Sequence, residues 1–317
     1  MKSMLRAALL GSVIGLGACG NTDPMSDESI HFERNSTFEQ GVLTVFLDLQ
    51  DGRNVSVNTV EDAIATGPFE TPLPGQAGRA WTFLKETADG TSIAYSVVTW
   101  DDNDPLDYLM AGWWAEFPDQ HLPELSFARS ERYAIVDGPE LDPAFPPDLP
   151  LQGQATYVGP AGGLYSYGTE EAGYVIDEYE GIATLTAYFG ARTIGGCIGC
   201  VGDLITRRAH FSVFLGEKVV DLEATATDYE LHLGEVRFDT VDGTFDGGAI
   251  TVTHPNRTVV ASDGSWGGSL SNKPDQAGNP RLVAGFTGVD FEEDNGGEGA
   301  FAGTFVAPST TLTASQQ

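Results

Sequence analysis

Two of the three cysteines sit in Gly196-Cys197-Ile198-Gly199-Cys200, a spacing that serves a disulfide across a tight turn, a redox-active dithiol or half of a metal site. A redox pair needs a helix N-terminus to stabilise its thiolate, and this glycine-rich turn supplies none. A metal needs two further ligands; there is no second C-x-x-C, and His210 is the nearest histidine in sequence. The first reading of Cys197 and Cys200 is a disulfide formed in an oxidising compartment. It closes a very short loop, so it stiffens a hairpin more than it stabilises a domain.

The five histidines, His31, His121, His210, His232 and His254, include no pair at ligand spacing, and H-E-x-x-H does not occur. Neither a G-x-S-x-G elbow, a P-loop nor a dinucleotide fingerprint occurs, so hydrolase, phosphoryl-transfer and nicotinamide chemistry have no positive sign. Asp101-Asp102-Asn103-Asp104 invites a calcium reading but lacks the glycine and closing glutamate of an EF-hand, and reads as a solvated acidic loop. Asn295-Gly296-Gly297-Glu298-Gly299-Ala300-Phe301 comes near a calcium nonapeptide but has Phe301 where the aspartate belongs; it reads as a turn into the last strand. The expectation is a protein that is not an enzyme and holds no cofactor or metal.

The third cysteine implies a different chemistry. Met1-Lys2-Ser3-Met4-Leu5-Arg6 puts two positive charges ahead of an apolar run at residues 7–16, which is the layout of an export signal and too short to span a bilayer. The run ends in Leu16-Gly17-Ala18-Cys19, where small residues admit a peptidase and a thiol follows to accept a diacylglycerol, as in a bacterial lipobox. Residues 1–18 are thus predicted to be a lipoprotein signal peptide, with Cys19 the lipidated mature N-terminus. Gly20, rather than an aspartate, follows it, which favours transfer to the outer membrane. Polar, turn-rich residues 19–37 read as a flexible tether. No later stretch is long and apolar enough for a membrane helix, so the lipid is the expected membrane attachment.

Processing would remove Lys2 and Arg6 but no acid, leaving 14 basic against 46 acidic side chains and a net charge of −32. A field of that sign repels phosphate backbones and anionic headgroups, which excludes nucleic acid as a partner. With 17 Phe, 10 Tyr and 5 Trp the composition is globular rather than that of a disordered acidic chain.

These residues must be held by two regions. Residues 41–49 (GVLTVFLDL) and 92–100 (SIAYSVVTW) have strand character, Asp51-Gly52 and Asp89-Gly90 are hairpin-type turns, and residues 58–65 (NTVEDAIA) predict a short capped helix. Residues 38–137 therefore read as a small α+β domain. Residues 138–150 carry five prolines in thirteen positions, which no helix or inner strand accommodates, and mark a linker. From 151 to 317 short alternating segments follow one another (152–158, 180–188, 207–215, 229–238, 248–253, 257–266), which predicts antiparallel strands hiding their edges in an eight-stranded β-barrel. A small-x-aromatic-x-glycine unit recurs at Gly243-Thr244-Phe245-Asp246-Gly247, Gly264-Ser265-Trp266-Gly267-Gly268, Ala284-Gly285-Phe286-Thr287-Gly288 and Gly299-Ala300-Phe301-Ala302-Gly303. On a strand its aromatic and flanking glycines share a face, where glycine lets the sheet bend or leaves room for a neighbouring ring.

Those units, with Ala155-Thr156-Tyr157-Val158-Gly159, Gly181-Ile182-Ala183-Thr184-Leu185-Thr186-Ala187-Tyr188-Phe189-Gly190 and Thr193-Ile194-Gly195-Gly196, resemble the barrel domain of the transferrin-binding protein B-like lipoproteins over about the last half of the chain. The resemblance implies a lipidated tether, a handle-like domain and a single barrel lobe. It also implies a surface lipoprotein that binds an extracellular protein, or a cofactor or metal carried by one. The alternative is a periplasm-facing lipoprotein binding a small solute or an envelope partner. If 38–137 is the handle, Trp113 and Trp114 beside Tyr108 are the first candidates for partner contact, because aromatics dominate binding hot spots; filling that domain's core is their other reading. A barrel of eight strands is normally packed solid, which puts binding on its loops and outer walls.

Overall fold

The computed structural model describes residues 30–31, 36–48, 52–68, 76–101, 104–122, 131–137, 149–169, 173–200, 205–208, 225–271, 274–275 and 277–310. The N-terminal half contains β1 (Ile30–His31), β2 (Ser36–Glu39), β3 (Val42–Asp48), β4 (Asn54–Asn58), β5 (Ala63–Pro68), β6 (Gln76–Thr87), β7 (Gly90–Asp101), β8 (Asp104–Pro118) and β9 (Glu131–Asp137). β2, β3 and β4 form a small antiparallel meander, and the others a six-stranded sheet in the order β1-β9-β8-β7-β6-β5. β1 runs parallel to β9, so the stretch read as a tether already joins the fold at Ile30. The proline-rich connector at 138–148 lies outside the described residues.

The predicted helix at 58–65 is not formed, and the described residues of this half are strands and turns with no helix, so the α part of the α+β expectation is not confirmed. Its capping chemistry is nonetheless present. The Asn58 Oδ1 accepts the Val60 and Glu61 N–H groups at 2.9 and 2.8 Å, and Asp62 N–H donates to the Asn58 carbonyl at 3.0 Å. A single turn results, because the chain from Ala63 then pairs with β6, and a turn that wins only a few hydrogen bonds cannot outweigh a sheet edge with side chains to bury. Of the acidic run, Asp101 ends β7 and pairs with Asp104, which begins β8; Asp102 and Asn103 lie outside the described residues.

The C-terminal half contains β10 (Gln154–Thr169), β11 (Gly173–Tyr188), β12 (Thr193–Ile198), β13 (Thr206–Arg208), β14 (Thr225–Ala226), β15 (Glu230–Arg237), β16 (Thr244–Thr253), β17 (Val259–Leu270), β18 (Leu282–Glu293) and β19 (Glu298–Pro308). Eight of them close a barrel in the order β10-β19-β18-β17-β16-β15-β12-β11, with β10 pairing back onto β11 along its whole length. β13 and β14 extend the wall where β11 outruns β12. The predicted eight-stranded antiparallel barrel is thus present, and closure removes the open edges that would otherwise invite pairing with other chains.

Alternation decides which residues fill it. Tyr157, Tyr165, Tyr179, Leu185, Ile194, Leu231, Phe245, Trp266, Phe291, Phe301 and Phe305 are buried together in one inward cluster. β18 and β19 are buried on both faces: Leu282, Ala284, Phe286, Ala302 and Val306 point outward and pack against Ile93, Leu109, Ala111, Ala115 and Phe117 of the six-stranded sheet. The opposite face of that sheet packs Trp81, Val98, Met110, Trp114 and Ile135 against Phe38, Leu43, Val45 and Val57 of the small meander. The result is three layers, with the six-stranded sheet in the middle.

The recurring glycine-aromatic unit follows this two-sided burial. Phe245, Trp266 and Phe301 point into the barrel, whereas Phe286, in the copy that opens with Ala284, points outward to the six-stranded sheet. There Gly285 faces inward, and a methyl group on it would overlap the Phe305 ring and the Gly267 carbonyl. Gly285→Ala is expected to destabilise the protein by about 1–3 kcal/mol through overpacking, read as a lower urea midpoint; an unchanged midpoint would show that the ring moves freely.

Candidate functional site at one end of the barrel

Antiparallel strands bring alternate strand ends and starts to one rim. At the rim holding the β10–β11 hairpin this gathers Tyr165 and Tyr167 at the end of β10, Phe291 and Glu293 at the end of β18, Tyr229 before β15 and Arg257 before β17. Glu293 is the unusual member. The parity that turns Val289 and Phe291 inward does the same to a carboxylate, and its side chain is 0% exposed.

The buried charge is compensated on both oxygens. Tyr167 Oη donates to Oε2 and Tyr229 Oη to Oε1, each at 2.7 Å, while Arg257 Nη1 lies 3.5 Å from Oε1. Arg257 Nη1 also donates to Tyr229 Oη at 3.0 Å, and its guanidinium lies over the Tyr167 and Tyr229 rings at 5.1 and 5.8 Å. Tyr229 is held in turn by Phe291 and by the edge of His254, with ring centroids 4.8 Å away in both cases. Burial by itself pushes the Glu293 carboxyl up, but the two hydroxyls and the guanidinium outweigh it and hold the group below its ordinary value. Burial and the hydrogen bond to Glu293 raise both Tyr167 and Tyr229, so these phenols stay protonated donors. A general acid or base needs a pKa near the working pH, and this carboxylate is moved the other way with both oxygens engaged. The cluster therefore works as a polar stopper that closes the barrel end, with the outer part of Arg257, 41% exposed, at the surface.

On the wall beside this rim, Cys197 and Cys200 are joined as a disulfide, as predicted, with Cα atoms 5.9 Å apart. Gly199 between them has φ +80°, a left-handed turn that glycine adopts at little cost, and a side chain there would meet Ile205. The structure adds a neighbour that sequence distance hides. β15 pairs with β12 so that His232 stands opposite Cys197, and one ligand atom from each of Cys197, Cys200 and His232 lies within 4.8 Å of the others. His232 Nε2 is 3.0 Å from Thr253 Oγ1 and 3.2 Å from Glu230 Oε2. His210 lies outside the described residues.

The aromatic contact candidates are placed differently. Tyr108 is buried, donates its hydroxyl to the Ser36 carbonyl at 3.0 Å and packs on Phe38 at 5.6 Å. Trp114 is fully buried, and its Nε1 donates to the buried carboxylate of Glu116. Both lie in the core, which for Trp114 was the other reading, because they share the β8 face covered by the small meander, and neither offers surface to a partner. Trp113 lies in β8, with its side chain outside the described residues, as is the whole of Cys19. The Asn295-Gly296-Gly297 turn does lead into the last strand, with Gly296 at φ +79°.

A shallow surface pocket of about 390 Å³ lies at the opposite end, lined by Gln152, Gly153, Tyr188, Gly190, Ala191, Thr193 and Glu235. Glu235 is the one carboxylate in its lining, with no histidine, cysteine or second acid beside it among the lining residues. Compared with models of known protein families and with curated protein sequences, the chain matches none.

Proposed function

We propose that this chain is an outer-membrane lipoprotein, anchored through Cys19 and displayed at the cell surface, that works by binding rather than by catalysis. Its partner in this reading is an extracellular protein, or a cofactor or metal carried by one, as in the transferrin-binding protein B-like lipoproteins that its barrel motifs resemble. The observation that carries the reading is the closed barrel filled by its own aromatic side chains. A small ligand finds little room in such an interior, so recognition falls to the loops, the rim and the outer wall, as in a scaffold for surface contacts. The lipobox motif and the strongly acidic composition support the placement and point to a cationic partner surface.

Protease treatment of intact cells tests this, with a periplasmic protein as the protected control. Rapid loss of the domain is expected, together with release of the protein from the membrane fraction when Cys19→Ala removes the acceptor thiol. Protection until the outer membrane is permeabilised would overturn the surface reading and favour a periplasm-facing lipoprotein that binds a small solute or an envelope partner.

A further inference from the structure

We propose that Cys197, Cys200 and His232 form a redox-gated site for a thiophilic d10 metal ion of the zinc type, closed while the disulfide is intact and opened when it is reduced. Three donor atoms converge from two adjacent strands without any long-range rearrangement: the cysteines flank the end of β12, and His232 stands opposite Cys197 on β15. Two thiolates and an imidazole are the donor types such an ion prefers. In a tetrahedral site with metal–ligand bonds of about 2.0–2.3 Å, donor atoms lie roughly 3.3–3.8 Å apart. The present spread, within 4.8 Å, is closed by letting the sulfurs separate and the ring shift by about 1 Å.

The surroundings suit that role. Glu230 and Thr253 at His232 Nε2 orient the imidazole, as partners of a ligand histidine do. The fourth position is left to water, so the site is open. Cys197 and Cys200 are partly exposed, which admits a reductant, and a bridge across two intervening residues gains little from constraining the unfolded chain. The barrel wall therefore does not depend on the bond and can serve as a scaffold for either state.

The chemistry balances in two steps. A dithiol reductant passes two electrons and two protons to the S–S bond, becoming a disulfide itself and leaving two thiols at Cys197 and Cys200. The ion then displaces the two thiol protons to solvent and takes a lone pair of the His232 imidazole, so binding is coupled to redox state.

The test uses the full chain carrying Cys19→Ser, so that only the pair contributes thiols, reduced with a phosphine and desalted without oxygen. Titration with Co²⁺ is expected to give one equivalent of a sulfur-to-cobalt charge-transfer band, displaced by Zn²⁺. The oxidised protein and the Cys197→Ser/Cys200→Ser variant should show no band. His232→Ala should weaken Zn²⁺ by at least about tenfold, with Glu230→Gln intermediate. Circular dichroism and the urea midpoint of the serine variant, near those of the parent, separate loss of the site from loss of the fold. An unaltered affinity in His232→Ala, equal binding by oxidised and reduced protein, or a pair that resists excess phosphine would each overturn the proposal. Surface display and metal binding fail independently, since one is read on cells and the other on purified protein.

Discussion

Phe301→Ala is expected to lower stability by about 3–5 kcal/mol, near the largest effect for a single core truncation. Phe301 is fully buried and central to the rim cluster, with ring centroids 4.8 Å from Tyr165, 5.3 Å from Tyr179, 5.7 Å from Tyr229 and 5.9 Å from Phe291. Truncation removes dispersion contacts with four rings at once, and the closed wall has little freedom to collapse into the space. The loss extends to the stopper, because Tyr229 is positioned by Phe301 on one side and Glu293 on the other. Urea unfolding followed by tryptophan fluorescence measures it. A loss below about 1 kcal/mol would mean that the barrel interior is loosely packed and would remove the premise that ligands are excluded from it.

Arg257→Ala is the second, and its size depends on pH. At neutral pH it leaves Glu293 charged and buried without its cationic partner, held by the Tyr167 and Tyr229 hydroxyls and by Asn295. Breaking a buried pair typically costs about 3–5 kcal/mol, and the 41% exposure of Arg257 reduces this to about 2–3 kcal/mol through solvent screening. The sign of the pH effect follows from the lowered pKa of Glu293 in the folded protein. Its contribution is complete above the unfolded carboxylate value of about 4.3 and is lost as pH falls through the folded value. The gap between parent and variant is therefore largest at neutral pH and shrinks in acid, because a protonated Glu293 no longer needs the guanidinium. Comparing the pair isolates Glu293 from the other acids, which titrate alike in both. Midpoints at pH 7, 5, 4 and 3 provide the check; a gap independent of pH would assign Arg257 a packing role through its stacking on Tyr167 and Tyr229.

Much of this architecture is readable before any coordinates. β3 and β7 match the residues whose alternation and β-branched content predict them, and most barrel strands contain the short segments that alternate. Those segments underestimate strand length: β10 runs on through Gly159-Pro160-Ala161-Gly162-Gly163, where alternation carries no hydrophobic contrast, and β11 begins seven residues earlier, at Gly173, where Val175 and Ile176 are adjacent and break the alternation. β8 is missed for the opposite reason. Buried on both faces, it reads as a near-continuous apolar run, which resembles a core helix as much as a strand, and it begins in an acidic stretch. The helix at 58–65 shows a local signal overruled by pairing: Asn58 caps a turn as its side chain allows, and β6 takes the residues that follow.

The candidate site was legible in part. Strand parity alone turns Glu293 inward with Val289 and Phe291, a signal available from sequence, although nothing local names Tyr167, Tyr229 and Arg257 as its partners. Likewise C-x-x-C is visible at once, whereas His232 is invisible as its neighbour, since the two are separated along the chain and joined only by the register of β12 against β15.

The sequence by itself determined the β character of the C-terminal half, the placement of its turns and a cysteine pair close enough to bond, because alternation, glycine and cysteine spacing act over a few residues and their physics is local. Tertiary structure alone decided that the six-stranded sheet lies between the small meander and the barrel, that Tyr108 and Trp114 are core rather than surface, and which histidine and which arginine meet the cysteines and the buried glutamate. The reason is physical: which face of a strand is covered, and what stands across from it, depends on register and on a second layer, and neither is encoded within the strand's own residues.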